Sequence, residues 1–280
     1  TVVPRFERFL ERWRTVDALA AAADAEVLGE WAGLGYYARA RNLIACARQV
    51  AADGGFPDHE AGLRALPGIG DYTAAAIAAI AFGRDTAPVD TNVERVIARL
   101  NATSDKTAIH AAAAAMVPAG QAGDFAQAMM DLGATICRPR KPDCGRCPLR
   151  SDCRALAIGT PEAIPVKAMR RARPVRHGEA HWIERDGAVW LERRPAKGLL
   201  GGMAALPGTH WGDAPVAGPA LAEIVHGFTH FELRLAVVTG GSAEGEGWWQ
   251  PIERIGEAGL PTLYRRAVEA VLAQRTRLAA

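Results

Sequence analysis

Four of the five cysteines in this 280-residue chain lie together as Cys137-x6-Cys144-x2-Cys147-x5-Cys153, and no other pattern in the sequence limits the fold so sharply. An odd cysteine count with such clustering points to a metal site in a reducing compartment, not to a disulfide framework. Four thiolates in one compact loop suit a [4Fe–4S] cluster. Structural zinc normally draws on two short-spaced pairs, and only one CxxC is present here. An electron carrier is a weaker reading, because no second redox motif and no ferredoxin spacing accompany the cysteines. Six basic residues (Arg138, Arg140, Lys141, Arg146, Arg150 and Arg154) surround them, opposed only by Asp143 and Asp152. A metal-staked basic loop of this kind is a phosphate-binding surface whose grip weakens as salt rises. Cys46 stands apart, at helical spacing with Leu43, Ala47 and Val50, and reads as a small core residue.

A chain of this length is expected to form two domains. Its apolar fraction of 49% supports real cores, and no stretch approaches the roughly 18 to 20 apolar residues that span a membrane. No basic and apolar leader opens it. The net charge of +2 says little about partners, so the placement of charge matters more. Pro4 starts a first helix with an apolar stripe of Phe6, Phe9, Leu10 and Trp13. Asp24 is read as the cap of a helix bearing Val27, Leu28 and Trp31, broken by Gly33-Leu34-Gly35. Tyr36-Tyr37 then opens a basic helix with Arg39, Arg41 and Arg48. Further helices are expected up to Leu66, from Asp71 (as cap) to about Phe82, after Thr91, near 105–117 and at 124–136. The last presents Met129, Leu132 and Ile136 on one side. No strand is expected before residue 160. Pro161, Pro165 and Pro174, with Lys167, Arg170, Arg171, Arg173 and Arg176, read as a basic linker that is either solvated or a phosphate-contacting strap. Beyond it the apolar period becomes alternating. Asp186-Gly187 marks a hairpin, Phe231, Leu233, Leu235 and Val237 form a strand face, and a helix near 262–275 closes the chain. The expected fold is therefore multidomain, an all-α domain followed by a small α+β domain.

Two features between Leu66 and Asn92 carry chemistry. In Leu66-Pro67-Gly68-Ile69-Gly70, glycines between two helices permit positive φ and close approach of a ligand to the backbone. The free N–H groups of the second helix then favour an anion. Such a turn can hold a DNA backbone without reading bases, although an ordinary helix–helix turn has the same pattern. Asp90 precedes Thr91, which is read with Glu94 as a capping box. Asp90 would then lie at the positive end of that helix and be favoured as an anion. An oxocarbenium-like sugar needs such a carboxylate. A second capping residue without chemistry is the competing reading.

Taken together, LPGIG, VDTNVERV (89–96) and the C-x6-C-x2-C-x5-C loop resemble the helix-hairpin-helix DNA glycosylases that carry an iron–sulfur cluster. WAGLGYYARARNL (31–43), FAQAMMDLGATIC (125–137), GLLGGM (198–203) and GFTHFEL (227–233) are similar to adenine DNA glycosylases of the MutY type. The resemblance covers essentially the whole chain. It implies a helix-hairpin-helix glycosylase region over 1–136, an iron–sulfur loop over 137–160, a basic linker over 161–177 and a Nudix-like domain over 178–280 that reads 8-oxoguanine. It implies a monomer that excises adenine from 8-oxoguanine:adenine or guanine:adenine pairs in duplex DNA, working in the bacterial cytoplasm at the nucleoid.

The catalytic set it implies is Asp90, Tyr72 and Asn92. The DNA contacts are Leu34, Tyr36, Gly68, Gly70 and Gln127, and the lesion readers are Phe228, Thr229 and His230. The cluster ligands are Cys137, Cys144, Cys147 and Cys153. Leu34 and Tyr36 would press into the base stack, and Gln127 would face the adenine pocket. Tyrosine at 72 stands where endonuclease III-like relatives carry a nucleophilic lysine, so a monofunctional glycosylase is expected. Departures from the family pattern are Ala126 for asparagine, Thr229 for serine, Leu200 for tryptophan and Gly256 for a metal-box glutamate. The last argues against pyrophosphatase activity. The resemblance places the general-acid glutamate on a helix ahead of TVVPRFERF, where this sequence begins, so an N-terminal piece carrying that acid is expected to be missing. The alternatives are a catalytically silent or weakened mismatch-binding protein and a bifunctional glycosylase/lyase.

Overall fold

The computed structural model describes residues 2–166 and 172–279, with side chains described up to residue 276. Lys167, Arg170 and Arg171 of the expected basic linker lie outside the described residues. Among the described residues, no helix is long and apolar enough to cross a membrane. The chain forms two compact units, one made of residues 49–170 and the other of 1–48 together with 171–280. That division runs differently from the limits expected from the sequence.

Up to the linker the chain is helical throughout: α1 (Val3–Arg12), α2 (Val16–Ala21), α3 (Asp24–Trp31), α4 (Tyr37–Ala52), α5 (Glu60–Ala65), α6 (Asp71–Phe82), α7 (Thr91–Asn101), α8 (Lys106–Met116), α9 (Ala122–Asp131) and the short α10 (Arg154–Ala157). In the 49–170 unit, Val93, Val96 and Ile97 of α7 pack with Ile109 and Ala113 of α8 and with Met129 and Leu132. This matches the apolar face read from the sequence, except that Leu100 is only half-buried and Arg95 and Arg99 are buried instead. After α9 the backbone widens into a π turn over Leu132–Ile136, a rare feature that tends to mark functional sites. It lets Gly133 approach α7 so closely that a Cβ there would meet Asn92 Cβ at 2.7 Å.

Among its described residues the other unit has seven strands: β1 (Val175–Trp182), β2 (Glu184–Arg185), β3 (Ala188–Arg193), β4 (Ala204–Ala205), β5 (Ala222–Gly227), β6 (Glu232–Thr239) and β7 (Gly247–Pro251), followed by α11 (Thr262–Ala279). One sheet has the order β1-β6-β5, with β1 parallel to β6, and β3 organises the second by pairing with β2, β4 and β7. Asp186 and Gly187 both take positive φ between β2 and β3, as a tight hairpin demands. Leu233, Leu235 and Val237 of β6 and Leu263, Ala267, Val268 and Val271 of α11 are buried, as their spacing predicts.

Val27 and Leu28 of α3 and Tyr37, Ala40 and Ile44 of α4 belong to the same core as these strands. The first 48 residues therefore pack with the β-rich part of the chain. Periodicity shows which face of a helix is apolar but not which partner covers it.

Several local expectations are corrected. Phe6 and Leu10 of α1 are exposed, at 60% and 51%, leaving only Phe9 and Trp13 packed inward. The short α2, capped by Thr15, was not anticipated. Asp24 is the first residue of α3, not its cap, and its carboxylate pairs with Arg48 at 2.6 Å. Asp71 likewise does not cap α6 but accepts from Arg64 Nη1 at 2.9 Å.

Candidate functional site

The acidic centre is built by the start of α7. Asp90, not Thr91, is the cap: its Oδ1 accepts from the backbone N–H of Asn92 at 2.8 Å and of Val93 at 2.7 Å. The expected capping box is thus displaced by one residue, because an aspartate reaches the free N–H groups of the first turn at least as well as a threonine. The other oxygen, Oδ2, accepts from Asn92 Nδ2 at 3.1 Å. One carboxylate oxygen therefore holds the helix, and the other keeps capacity for a further partner. Capping and chemistry, weighed as rivals in the sequence, are compatible in this geometry.

Asn92 is itself held. Arg95 Nη2 donates to Asn92 Oδ1 at 2.9 Å and to Gly133 O at 2.6 Å, and Arg95 Nε donates to Cys137 O at 2.7 Å. One guanidinium thus spans Asn92, the π turn and the first cysteine of the loop. Burial disfavours its charge; of the neighbouring charges, Cys137 and Asp90 support it and Arg99 opposes it.

Tyr72 lies on the first turn of α6 and donates its hydroxyl to Met130 Sδ at 3.1 Å. Burial, and then the charge of Asp90, push its phenol above the usual tyrosine range, so it is a neutral donor. Gln127, one turn before Met130 on α9, is exposed and donates to Gly123 O in its own helix at 3.1 Å.

The turn between α5 and α6 has Gly68 at φ +76°, which favours glycine. Gly70 is different: it caps α6 in an extended conformation, and a Cβ there would meet nothing within 4 Å. Its use is therefore not positive φ. It leaves the α6 N-terminus without a side-chain cap, open to an external anion.

The four clustered cysteines line one cavity with Arg99, Ile136, Pro142, Arg150, Leu156 and Pro161. Among the described residues, no three His, Cys, Asp or Glu groups converge tightly enough to hold a single ion. Four thiols lining one shared cavity are the donor set that a [4Fe–4S] cluster uses. Burial pushes the Cys144 thiol up, the other three cysteines push it further, and Arg99 opposes them. Arg99, 2% exposed, ties the loop down: it donates to Ile164 O (2.9 Å), Arg138 O (2.8 Å), Pro139 O (3.2 Å) and Cys137 Sγ (3.3 Å). The donor set fits an iron–sulfur cluster. Cys46 is buried in a helix, as its spacing predicts, and burial pushes its thiol up.

The remaining site residues belong to the β-rich unit. Tyr36 is 71% exposed at φ +47°, between Gly35 and α4, while Tyr37 is buried. Only one of the tyrosine pair is thus offered to a partner, and Leu34 beside it is half-buried. Phe228, Thr229 and His230 form the turn between β5 and β6, closed by Phe228 N–H donating to Phe231 O at 2.8 Å. Phe228 packs inward against Trp211, Phe231 and His226, whereas Thr229 and His230 are exposed.

Sequence reasoning missed Arg95, Arg99, Gly133 and Met130. Two arginines four apart on the apolar side of α7 were a visible signal, although in sequence an arginine at the edge of a stripe usually means a solvated side chain.

Comparison with known proteins bears on this geometry. Residues 1–120 match the HhH-GPD superfamily base excision DNA repair protein family, 137–153 the iron-sulfur binding domain of endonuclease III, and 180–270 the NUDIX domain. The chain therefore belongs to the helix-hairpin-helix, endonuclease III-like superfamily of base-excision repair proteins, with an iron–sulfur loop and a Nudix-like domain. Curated relatives within that superfamily include adenine DNA glycosylases. The adenine DNA glycosylase of Arabidopsis thaliana is 37% identical over 250 residues, covering 74% of this chain and 39% of that protein. That of Homo sapiens is 33% identical over 312 residues, covering 85% and 57%. Among solved structures, a thermostable thymine-DNA glycosylase aligns with a TM-score of 0.52 at 31% identity, over 56% of this chain and 76% of that one. The chain spans about two fifths to three fifths of the length of these curated relatives.

Proposed function

We propose that this protein hydrolyses the N-glycosidic bond of adenine paired with 8-oxoguanine or guanine in duplex DNA, and that it does so without a lyase step. The observation that carries this reading is Asp90. One of its oxygens is fixed by the α7 N-terminus, and the other is steadied by an asparagine that Arg95 holds in turn. A carboxylate oriented this way stabilises the positive charge that grows on the sugar as the base departs. It needs no reorganisation at that moment, because its donors are already in place. The electron pair of the broken C–N bond leaves with adenine; water then adds its oxygen to the sugar carbon, and the proton it gives up balances the one that adenine takes up. Tyr72 is a neutral phenol and cannot form a Schiff base, which is why strand cleavage does not follow base release.

The adenine must leave the stack to reach Asp90, at a cost of a few kcal/mol. Gly68 and the uncapped α6 N-terminus would grip the phosphate backbone. Tyr36 and Leu34 would fill the gap in the stack, Gln127 would meet the extruded base, and Thr229 and His230 would read the opposite base, with Phe228 as their anchor. Cys137, Cys144, Cys147 and Cys153 would ligate the [4Fe–4S] cluster. That cluster, when bound, supplies structural anchoring and negative charge beside Arg99, not bond breaking.

Single-turnover excision on an 8-oxoguanine:adenine duplex tests the reading. Measured in a version that carries the general-acid glutamate expected from the resemblance, Asp90→Asn should lower the rate by on the order of 10²-fold or more, about 2.7 kcal/mol of barrier. Near-normal excision by this variant, or a borohydride-trapped protein–DNA adduct with the parent chain, would overturn it.

A further inference from the structure

We infer that Arg41 is a positioning residue for lesion discrimination, tying the turn that presents Tyr36 to the turn that presents Thr229 and His230 so that both read DNA as one body. The inference rests on the lesion-reading role proposed above.

The connection can be followed side chain by side chain within the β-rich unit. Arg41 lies one turn into α4, whose first residue follows Tyr36. Its Nη1 donates to Gly201 O at 2.9 Å and its Nη2 to Gly198 O at 3.2 Å. A basic helix in a DNA-binding protein suggests a phosphate contact, but this guanidinium is directed at two carbonyls about 160 residues further along the chain. The 198–203 loop that it grips is tightly folded. Leu200 takes φ +55°, a Cβ on Gly201 would meet Ala196 O at 2.6 Å, and a Cβ on Gly202 would approach Leu28 of α3 at 3.2 Å. From the loop, Leu199 O accepts from Arg194 Nε at 3.2 Å. The Arg194 guanidinium stacks 4.8 Å from the Trp211 ring, and Trp211 lies 5.5 Å from Phe228, the anchor of the 228–230 turn. Each link is a hydrogen bond or a packed ring. Such a path transmits position only while every member is held.

Two arginines therefore do structural work where composition alone would give them to phosphates. Arg194 is additionally fixed to Tyr264 Oη at 2.9 Å, so Arg41 is the more adjustable link and the better one to cut.

The test uses the full chain and duplexes carrying 2′-fluoroadenosine, which resists excision, opposite either 8-oxoguanine or guanine. The parent chain should prefer the 8-oxoguanine duplex by about tenfold or more, the scale of one good base contact. Arg41→Met should reduce that ratio to within about threefold of unity while leaving affinity for the guanine duplex within about twofold, since no base or phosphate contact is removed. Arg41→Lys, which keeps a single donor group, should fall between. Amide exchange in 198–203 should accelerate in Arg41→Met without DNA. An unchanged ratio, an equal loss for both duplexes, or unchanged exchange in 198–203 would each overturn the role of Arg41. A parent chain with no preference would instead overturn the lesion-reading function, and the positioning role would fall with it.

Discussion

The acidic centre in the 49–170 unit and the reading surface proposed for the β-rich unit face opposite demands. Asp90, Asn92 and Arg95 lie within about one and a half helical turns of each other and are locked by short hydrogen bonds to backbone and side chains. Tyr36, Thr229 and His230 are exposed side chains on turns, and one of them sits at positive φ. A group that stabilises charge gains from immobility, because donors placed in advance cost nothing at the transition state. A group that enters another molecule gains from exposure and must be held from behind. The reading surface is held by long-range packing through Phe228, Trp211 and the 198–203 loop. The acidic centre is held by its own helix and, through Arg95, by Gly133 and Cys137 of the adjoining turn and loop.

If that contrast is right, the largest single effect should come from Arg99, which holds together most of the loop below the acidic centre. Arg99→Met should cost about 3 kcal/mol or more, because several buried carbonyls lose their donor. Iron content and visible absorbance should fall faster under chelation than in the parent chain. A variant that keeps its cluster and melting temperature would break the picture of a wired acidic centre.

Next in size is Asp90→Asn. Asparagine caps a helix as well as aspartate does, so thermal stability should stay within about 0.5 kcal/mol while excision falls as stated above. A stability loss that matches the activity loss would mean that the cap, not the charge, is what matters.

Tyr36→Gly sharpens the other side of the comparison. Glycine relieves the positive φ, so stability should hold or rise by about 1 kcal/mol. Duplex affinity should drop by about tenfold through lost stacking. Lower stability in this variant would make Tyr36 a packing residue.

The smallest effect concerns pH. Burial, and then Arg266, hold His226 below the ordinary imidazole range, next to Phe228. The unfolded chain takes up its proton first. Stability from this group is therefore full above about pH 6.5 and is lost as pH falls below it. His226→Gln should flatten that part of the profile of melting temperature against pH. An unchanged slope would show that other groups set it.

Much of this was legible in residues alone. The cysteine spacing, the helix from 71 to 82, the Asp186-Gly187 hairpin and the inward face of the last helix are local patterns, and local physics determines them. Asp90 was legible as a carboxylate at the start of a helix, but its being the cap was not, since Asp90 and Thr91 compete for the same N–H groups and only the backbone geometry chooses. Phe6 and Leu10 show the limit of periodicity: they read as a stripe, yet the described residues leave them exposed.

What the sequence determined by itself was chemistry at short range: which thiols cluster, where a helix starts, which carboxylate stands at a dipole. The tertiary structure decided the partners. It buried Arg95 and Arg99 against the cysteine loop and aimed Arg41 at a glycine loop about 160 residues away. It also packed the first 48 residues with the strands of the second half. The reason is physical. Hydrogen-bond and capping preferences act over a few residues and leave a readable mark, whereas burial is satisfied by any surface of the right shape, and only the folded chain shows which one was used.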